Sequence, residues 1–346
     1  MDFAEVYNKK VFNEYAKVKT IRKTYTAKKH PFINNKYPKR LKVPYIAINP
    51  NDKTKIILLG SPEAYAVTTG FIEKNKIVPA RLHIGPKRSL DNAVATYQSL
   101  QIPGIKKILS SETEESLLVV DILREGIKTQ AQDNLYMLYK KVFTTVILSM
   151  SHKKDNKNPL KRSVYLGQAK FEGVNKKRVK TVVISDSIAG GVTMFYALEF
   201  LKKELPNLKK VIIISPHLAI TGAFILAEYF KKANILGILV GFGALLKSNP
   251  PEMYYSPLPV DKPKYFADTR HINLAKYLYK DLAGKICVAG NWTAMFLAPQ
   301  AAYKEIQEEL KTKNWKNKIK KRKITNKILK TMGFKPSNLK PASQYV

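Results

Sequence analysis

The chain has a single cysteine, Cys287, in 346 residues. That excludes an intrachain disulfide and any cysteine-rich metal centre. Inside KICVAG this residue reads as a small buried hydrophobe. Histidine is scarce as well: His30, His83, His152, His217 and His271 are scattered, without the spacing that zinc ligands need. Acidic residues are few, 26 Asp and Glu against 61 Lys and Arg, which leaves a formal net charge of +35. No apolar run is long enough to cross a bilayer; the longest, residues 235–246, is broken by glycines and reads as a core strand and turn. The opening MDFAEVYNKK has an acid at position 2 and no apolar h-region, so no secretory signal is read there and a cytoplasmic protein is expected.

Residues 106–305 alternate apolar runs with amphipathic ones. Strands are expected at 117–122, 142–149, 163–170, 180–185, 210–215, 234–240 and 285–289, and helices at 129–141, 192–204 and 221–232. A polar loop, SHKKDNKNPLK, interrupts them at 151–161. This alternation predicts an α/β fold, a mostly parallel sheet with helices on both faces. A basic extension, residues 1–50, precedes it with a strand at 43–48. An accessory segment, 51–105, carries a strand at 55–59, a turn at 60–62 and a helix at 90–100 closed by Pro103-Gly104. A basic tail, 306–346, follows.

The chemistry concentrates in residues 181–193, TVVISDSIAGGVT. Val182, Val183 and Ile184 read as a buried parallel strand. Ser185 and Asp186 fall at its carboxyl end, where open α/β sheets place their ligands. Gly190 and Gly191 allow backbone N–H groups to approach an anion, Thr193 offers a hydroxyl, and the helix that follows adds the positive end of its dipole. Asp186 beside such a cradle repels phosphate but accepts hydrogen bonds from sugar hydroxyls. A sugar phosphate is the ligand this combination suits.

The segment resembles the phosphoribosyl-pyrophosphate (PRPP) loop of the type I phosphoribosyltransferases. Upstream, LLVVDILREGIK at 117–128 is similar to the strand and Leu-Arg-Ala-Gly turn of the uracil branch, with Arg124, Glu125 and Gly126 where that family meets pyrophosphate. Downstream, KVIIISPHLAITG at 210–222 is another strand and turn. KICVAGNWTA at 285–294 lies where the uracil enzymes carry their base-binding segment. There are departures. Aligned on Thr193, Asp186 takes the second acidic position and Ser185 replaces the first; aligned on Asp186 as the first, the loop is one residue short. The base-site Asp has no counterpart among Gly290, Asn291, Trp292 and Thr293.

The resemblance implies a phosphoribosyltransferase-like domain over 106–305 that binds PRPP or a nucleotide, with transfer of phosphoribose to a pyrimidine-type base. Asp186 and Arg124 would be catalytic. Ser185, Ala189, Gly190, Gly191, Val192, Thr193, Glu125 and Gly126 would bind the phosphates and ribose. Lys153 and Lys154 would belong to a hood loop, and Val288, Gly290, Asn291 and Trp292 would meet the acceptor. Mg²⁺ would accompany PRPP, and a homodimer is a common family form.

The charge supports a rival reading. Residues 311–346 hold twelve Lys or Arg and no acid, and Trp315, Ile319, Ile328 and Met332 recur at roughly helical spacing. A basic amphipathic helix of this kind suits a phosphate backbone, an anionic membrane surface or docking on its own domain. Near the N-terminus, Phe3, Tyr7, Val11 and Tyr15 suggest another amphipathic helix. Residues 17–42 then carry Lys and Arg without one Asp or Glu. Tyr25, Phe32 and Tyr37 are interleaved there, either to stack on bases or to pack the extension onto the core. The alternative is therefore a catalytically inactive phosphoribosyltransferase fold that binds RNA or the ribosome, or DNA, through 17–42 and 311–340.

Overall fold

The computed structural model describes residues 1–7, 18–34, 37–123, 126–152, 163–249, 254–256, 267–279, 288, 299–312 and 321–346. Its strands are β1 (Thr20–Lys28), β2 (Arg40–Ile48), β3 (Thr54–Leu59), β4 (Gly70–Glu73), β5 (Lys76–Pro79), β6 (Leu117–Ile122), β7 (Thr144–His152), β8 (Val164–Ala169), β9 (Thr181–Ser185), β10 (Lys210–Ser215) and β11 (Leu236–Phe242), with short β12 (Lys247–Asn249), β13 (Tyr254–Ser256) and β14 (Arg322–Lys323). Among the described residues nine of these form one sheet in the order β1-β2-β3-β11-β10-β9-β6-β7-β8. The run from β3 to β7 is parallel, and β1, β2 and β8 add antiparallel edges. The central strands are buried on both faces because β6, β9 and β10 carry unbroken Val, Ile and Leu runs at 117–120, 182–184 and 211–214, as a helix-covered parallel sheet requires.

The helices are α1 (Phe3–Val6), α2 (Pro62–Thr68), α3 (Pro86–Ser99), α4 (Pro103–Ser111), α5 (Ala131–Tyr139), α6 (Val192–Glu204), α7 (Ile220–Ala233), α8 (Thr269–Tyr279), α9 (Pro299–Thr312) and α10 (Asn326–Thr331). One face of the sheet packs on α6 and α7 through Phe195, Leu198, Phe224 and Phe230. The other packs on α3, α4 and α5 through Ala95, Ile105, Leu109 and Leu135. Right-handed crossovers explain the division: β9 to β10 and β6 to β7 step in opposite directions along the sheet, so their helices fall on opposite faces.

The expected strands at 117–122 and 210–215 and the helix at 192–204 have those bounds. Others differ for local reasons. The helix expected at 129–141 is a 3₁₀ turn, Gly126–Thr129, and then α5, which is flanked by left-handed Gln130 and Lys140. Pro103 opens α4 at its first turn instead of closing a helix, since proline's missing N–H costs nothing there. Strand 285–289 lies outside the described residues except for Val288, a bend.

The basic segments are built in. Residues 20–28 and 40–48 form a hairpin that completes one edge of the main sheet, so the expected boundaries at 50 and 105 fall between strands of a single sheet. Tyr25 and Tyr37 are buried, donating hydrogen bonds to the Gln98 carbonyl (2.6 Å) and to Glu63 Oε1 (2.6 Å). Of the three interleaved aromatics Phe32 alone is open, 69% exposed. The tail also departs from one long helix. Arg322–Lys323 pairs with β5, α10 covers six residues, and Gly333 at φ +85° turns the chain away. Trp315 and Ile319, like Val11 and Tyr15, lie outside the described residues. Leu329, Met332, Phe334 and Leu339 are buried, so this tail docks on its own domain.

Candidate functional site

The strand order reverses between β6 and β9. From β6 the chain crosses to β7 on one side, and from β9 it crosses to β10 on the other. The two crossovers leave a crevice above the carboxyl ends of β6 and β9, the position where doubly wound sheets take their ligands. Asp121, Gly126, Ser185 and Asp186 all fall at that point.

The glycine-rich loop rises from β9 and is stitched to the turn after β10. Ile188 N donates to the His217 carbonyl (2.8 Å), Ala219 N to the Ile188 carbonyl (2.7 Å) and Gly222 N to the Ala189 carbonyl (2.9 Å). Gly191 is the N-cap of α6 with φ +80° and no capping side chain, so the first amides of that helix are left for water or an anion. A Cβ on Gly222 would stand 2.6 Å from the Ala189 carbonyl oxygen, and one on Gly191 would stand 3.2 Å from Gly222 Cα. Two glycines thus let the loop and the next turn touch backbone to backbone. Gly190 and Val192 are buried, and Ala189 and Thr193 are half-buried at the rim.

Gly126 plays the matching part on β6. Its Cβ would meet the Ser185 carbonyl oxygen at 2.7 Å and Asp121 Cα at 2.8 Å, so only glycine lets this turn cross the strand ends. Thr129 Oγ1 donates to the Gly126 carbonyl (2.9 Å), closing the turn, and lies 2.9 Å from Ser185 Oγ, from which it can accept. The structure therefore places Ser185 with its hydroxyl turned toward the α5 face and engaged by Thr129. Asp186 is buried at the base of the loop, its Oδ1 accepting from Ser187 N (2.8 Å).

Behind the loop stands a buried cation. Arg88 on α3 donates through Nη1 to the carbonyls of Ala80 (2.8 Å) and His83 (3.0 Å), and through Nη2 to the carbonyl of Val67 (3.0 Å). Arg88 Nη2 also lies 3.1 Å from His217 Nε2, and His217 Nδ1 lies 3.4 Å from Ser187 Oγ. Burial, with Arg88 adding to it, holds His217 well below the usual imidazole range, so the ring is neutral. His217 Nε2 thus faces the Arg88 donor and, at 3.3 Å, the Val67 carbonyl acceptor.

Asp121 escaped the sequence reading. It pairs in register with Ser185, is 8% exposed, and its Oδ1 has no hydrogen-bond partner among the described residues. Burial, and secondarily Asp133, push its carboxyl up to about 6. The available signal was one acid in an otherwise apolar strand, LLVVDI. Of the remaining expected residues, Val288 is fully buried among Leu274, Tyr279 and Leu339. Arg124, Glu125, Lys153, Lys154, Gly290, Asn291 and Trp292 lie outside the described residues. No group of three or more His, Cys, Asp or Glu side chains suited to a metal ion is found among the described residues.

No protein-family model matches the chain, and no curated protein matches it. Among solved structures it is similar to a xanthine-guanine-hypoxanthine phosphoribosyltransferase from Helicobacter pylori, at 15% identity and TM-score 0.28, over 45% of this chain and 84% of that one. It is similar to an adenine phosphoribosyltransferase from Trypanosoma brucei, solved with AMP, pyrophosphate and ribose-5-phosphate, at 13% and 0.32, over 54% and 83%. A hypothetical protein from Neisseria gonorrhoeae with bound ppGpp is similar at 15% and 0.26, over 38% and 67%. Scores this low leave the reading of the site to its own geometry.

Proposed function

We propose that this is a phosphoribosyltransferase-like protein that binds PRPP or a nucleotide at the β6/β9 crevice. The observation that carries the reading is the coincidence of three features at one switch point: the uncapped start of α6 behind Gly191, the Asp186 carboxylate at the base of the same loop, and the Gly126 turn facing them. The 5′-phosphate would rest on the amides of 189–193, and Asp186 would accept from the ribose hydroxyls. The described carboxylates do not make a metal cage by themselves. They would suit a Mg²⁺ ion that takes most of its ligands from phosphate and water, and Asp186 would be the side chain to help hold it. When bound, that ion neutralises diphosphate charge.

In transfer, positive charge grows on the ribose as its bond to pyrophosphate loosens, and negative charge grows on the leaving group. Arg124 and the amides at Gly126 would stabilise the latter, and Glu125, Lys153 and Lys154 would contribute to substrate binding. The acceptor, a pyrimidine-type base, would rest on the segment carrying Gly290, Asn291 and Trp292.

Calorimetry of the nucleic-acid-free protein with PRPP and Mg²⁺ tests binding, and saturable uptake is the expected result. Asp186→Asn should then abolish PRPP-dependent product formation in a folded protein. Unchanged turnover would remove Asp186 from the mechanism, and no PRPP uptake at all would remove the reading.

A second reading has its own observation. In the β1/β2 hairpin Lys28 stands directly opposite Arg40, with Lys39 beside them, all exposed. Like charges in cross-strand register are destabilising, and a polyanion relieves them. An RNA contact on this edge is compatible with either an active or an inactive crevice.

A further inference from the structure

Two cavities lie away from the crevice, at the carboxyl end of β3, and share Pro44, Gly60 and Arg270 in their walls. β3 and β9 are three strand spacings apart in the sheet, roughly 14 Å. Neither cavity is lined by the residues of the 186–193 loop.

The first cavity, about 290 Å³, is walled by the rings of Tyr37, Tyr65 and Tyr345. These rings are held in place. Tyr37 is anchored on Glu63 and meets Tyr345 edge-to-face at 5.0 Å, while Tyr65 meets Phe334 edge-to-face at 5.7 Å. Fixed aromatic walls accept a planar ring without the cost of ordering side chains. Two buried polar atoms on lining residues, Tyr65 Oη and Gln98 Oε1, have no partner among the described residues. Gln98 Nε2 donates to Glu63 Oε2 (3.1 Å), which fixes the amide and leaves its oxygen as an acceptor. Buried polar atoms are normally paired, and a hydroxyl donor with an amide acceptor matches the edge of a heterocycle that offers both functions.

The second cavity, about 300 Å³, is edged by Arg22, Lys23, Asp268 and Arg270. Arg270 grips Asp268 through Nε (2.9 Å) and Nη2 (3.3 Å). That uses two of its five N–H donors. Arg22 Nη2 donates to Thr269 Oγ1 (3.3 Å), so it is held at the rim. With Lys42 from the first cavity, four cations face one carboxylate across the pair of cavities. An excess of positive charge remains after the ion pair is counted, and it adjoins the aromatic half.

We infer that the two cavities form one binding site, separate from the β6/β9 crevice, for a planar heterocycle carrying a phosphate: a nucleoside phosphate, free or as a residue of single-stranded RNA. This inference stands independently of the PRPP reading.

The test is equilibrium dialysis of the full chain with AMP, UMP, adenosine and a single-stranded RNA hexamer, repeated on Asp186→Asn to separate the two sites. Mononucleotide binding should survive Asp186→Asn. Arg22→Gln, at an exposed position, should weaken AMP or UMP about tenfold while sparing adenosine. Tyr345→Leu should weaken adenosine as well, and Arg22→Lys should restore part of the nucleotide affinity. If only the hexamer binds, and both Arg22→Gln and Tyr345→Leu weaken it, the site stands and RNA is the source of the nucleotide. The inference fails if no nucleotide or hexamer binds, or if binding is indifferent to both substitutions.

Discussion

Gly191 holds φ +80° at the first cap of α6, with the Gly222 backbone close against it. A side chain there pays for a left-handed backbone, about 1–2 kcal/mol, and must also displace the first turn of α7. Gly191→Ala is therefore expected to lower stability by about that amount and to reduce the stabilisation that added phosphate confers. Denaturant unfolding with and without phosphate measures both. Asp121 makes a different demand. Its carboxyl is raised to about 6 in the folded chain from an ordinary 3.8. The folded state then holds a proton that the unfolded state has released, so Asp121's contribution is complete below about pH 4 and is lost as pH rises through 6. Asp121→Asn should be more stable than the native chain at pH 7–8, on the order of 2–3 kcal/mol, and flatter between pH 4 and 7. Urea unfolding at several pH values decides it, and a parallel pH dependence in both proteins would refute it. A buried carboxylate retained at such a cost, at the strand end facing the crevice, is consistent with a ligand that uses its charge.

Among the elements, α3 and the tail are coupled. Arg88, Asp91, Asn92, Thr96 and Gln98 make α3 a polar helix, yet all five are buried. Asp91 accepts from Ser343 N (3.0 Å) and Ser343 Oγ (2.6 Å), and its Oδ2 lies 2.8 Å from His83 Nε2. The last residues of the chain thus satisfy an acid in the core. Ending the chain after Pro341 leaves that carboxylate with His83 alone. The expected loss is on the order of 2–3 kcal/mol, seen as a fall of several degrees in Tm. Removing a single charge from the tail surface, by Lys330→Gln at an exposed position of α10, should leave Tm unchanged. Deleting 311–346 to probe RNA binding would consequently unseat Leu329, Phe334 and Leu339 as well, and would confuse folding with contact.

For the whole molecule the large number is the +35 charge. Lys28, Lys39 and Arg40 gather at the end of the β1/β2 hairpin, whose β1 is an outermost strand of the sheet among the described residues. Replacing these three with Gln should flatten the salt dependence of RNA binding, by about 0.7 in log–log slope for each phosphate contact removed. Fluorescence anisotropy against a labelled single strand, over a range of salt, gives that slope. An unaltered slope would move the contact elsewhere on the molecule. No described helix is long and apolar enough to cross a membrane.

Local chemistry made part of this protein legible. Continuous Val, Ile and Leu runs set β6, β9 and β10, because a strand buried on both faces has no polar alternation to preserve. Asp186 and the glycine pair before α6 stood out because a close backbone approach requires those residue types in that order. Sequence could not choose between stacking and packing for Tyr25 and Tyr37, since both uses call for an aromatic among cations; the hydrogen bonds to Gln98 and Glu63 chose packing. Nor could it join residues far apart in the chain. Asp91 with Ser343, Arg88 with His217, and the two cavities around Arg270 exist only once the sheet has fixed which strand ends are neighbours. The apolar pattern determined that there would be a parallel sheet. The order of its strands, and with it the place where the crevice opens, was decided by tertiary packing, because parallel partners are interchangeable until their crossovers and helices fill both faces.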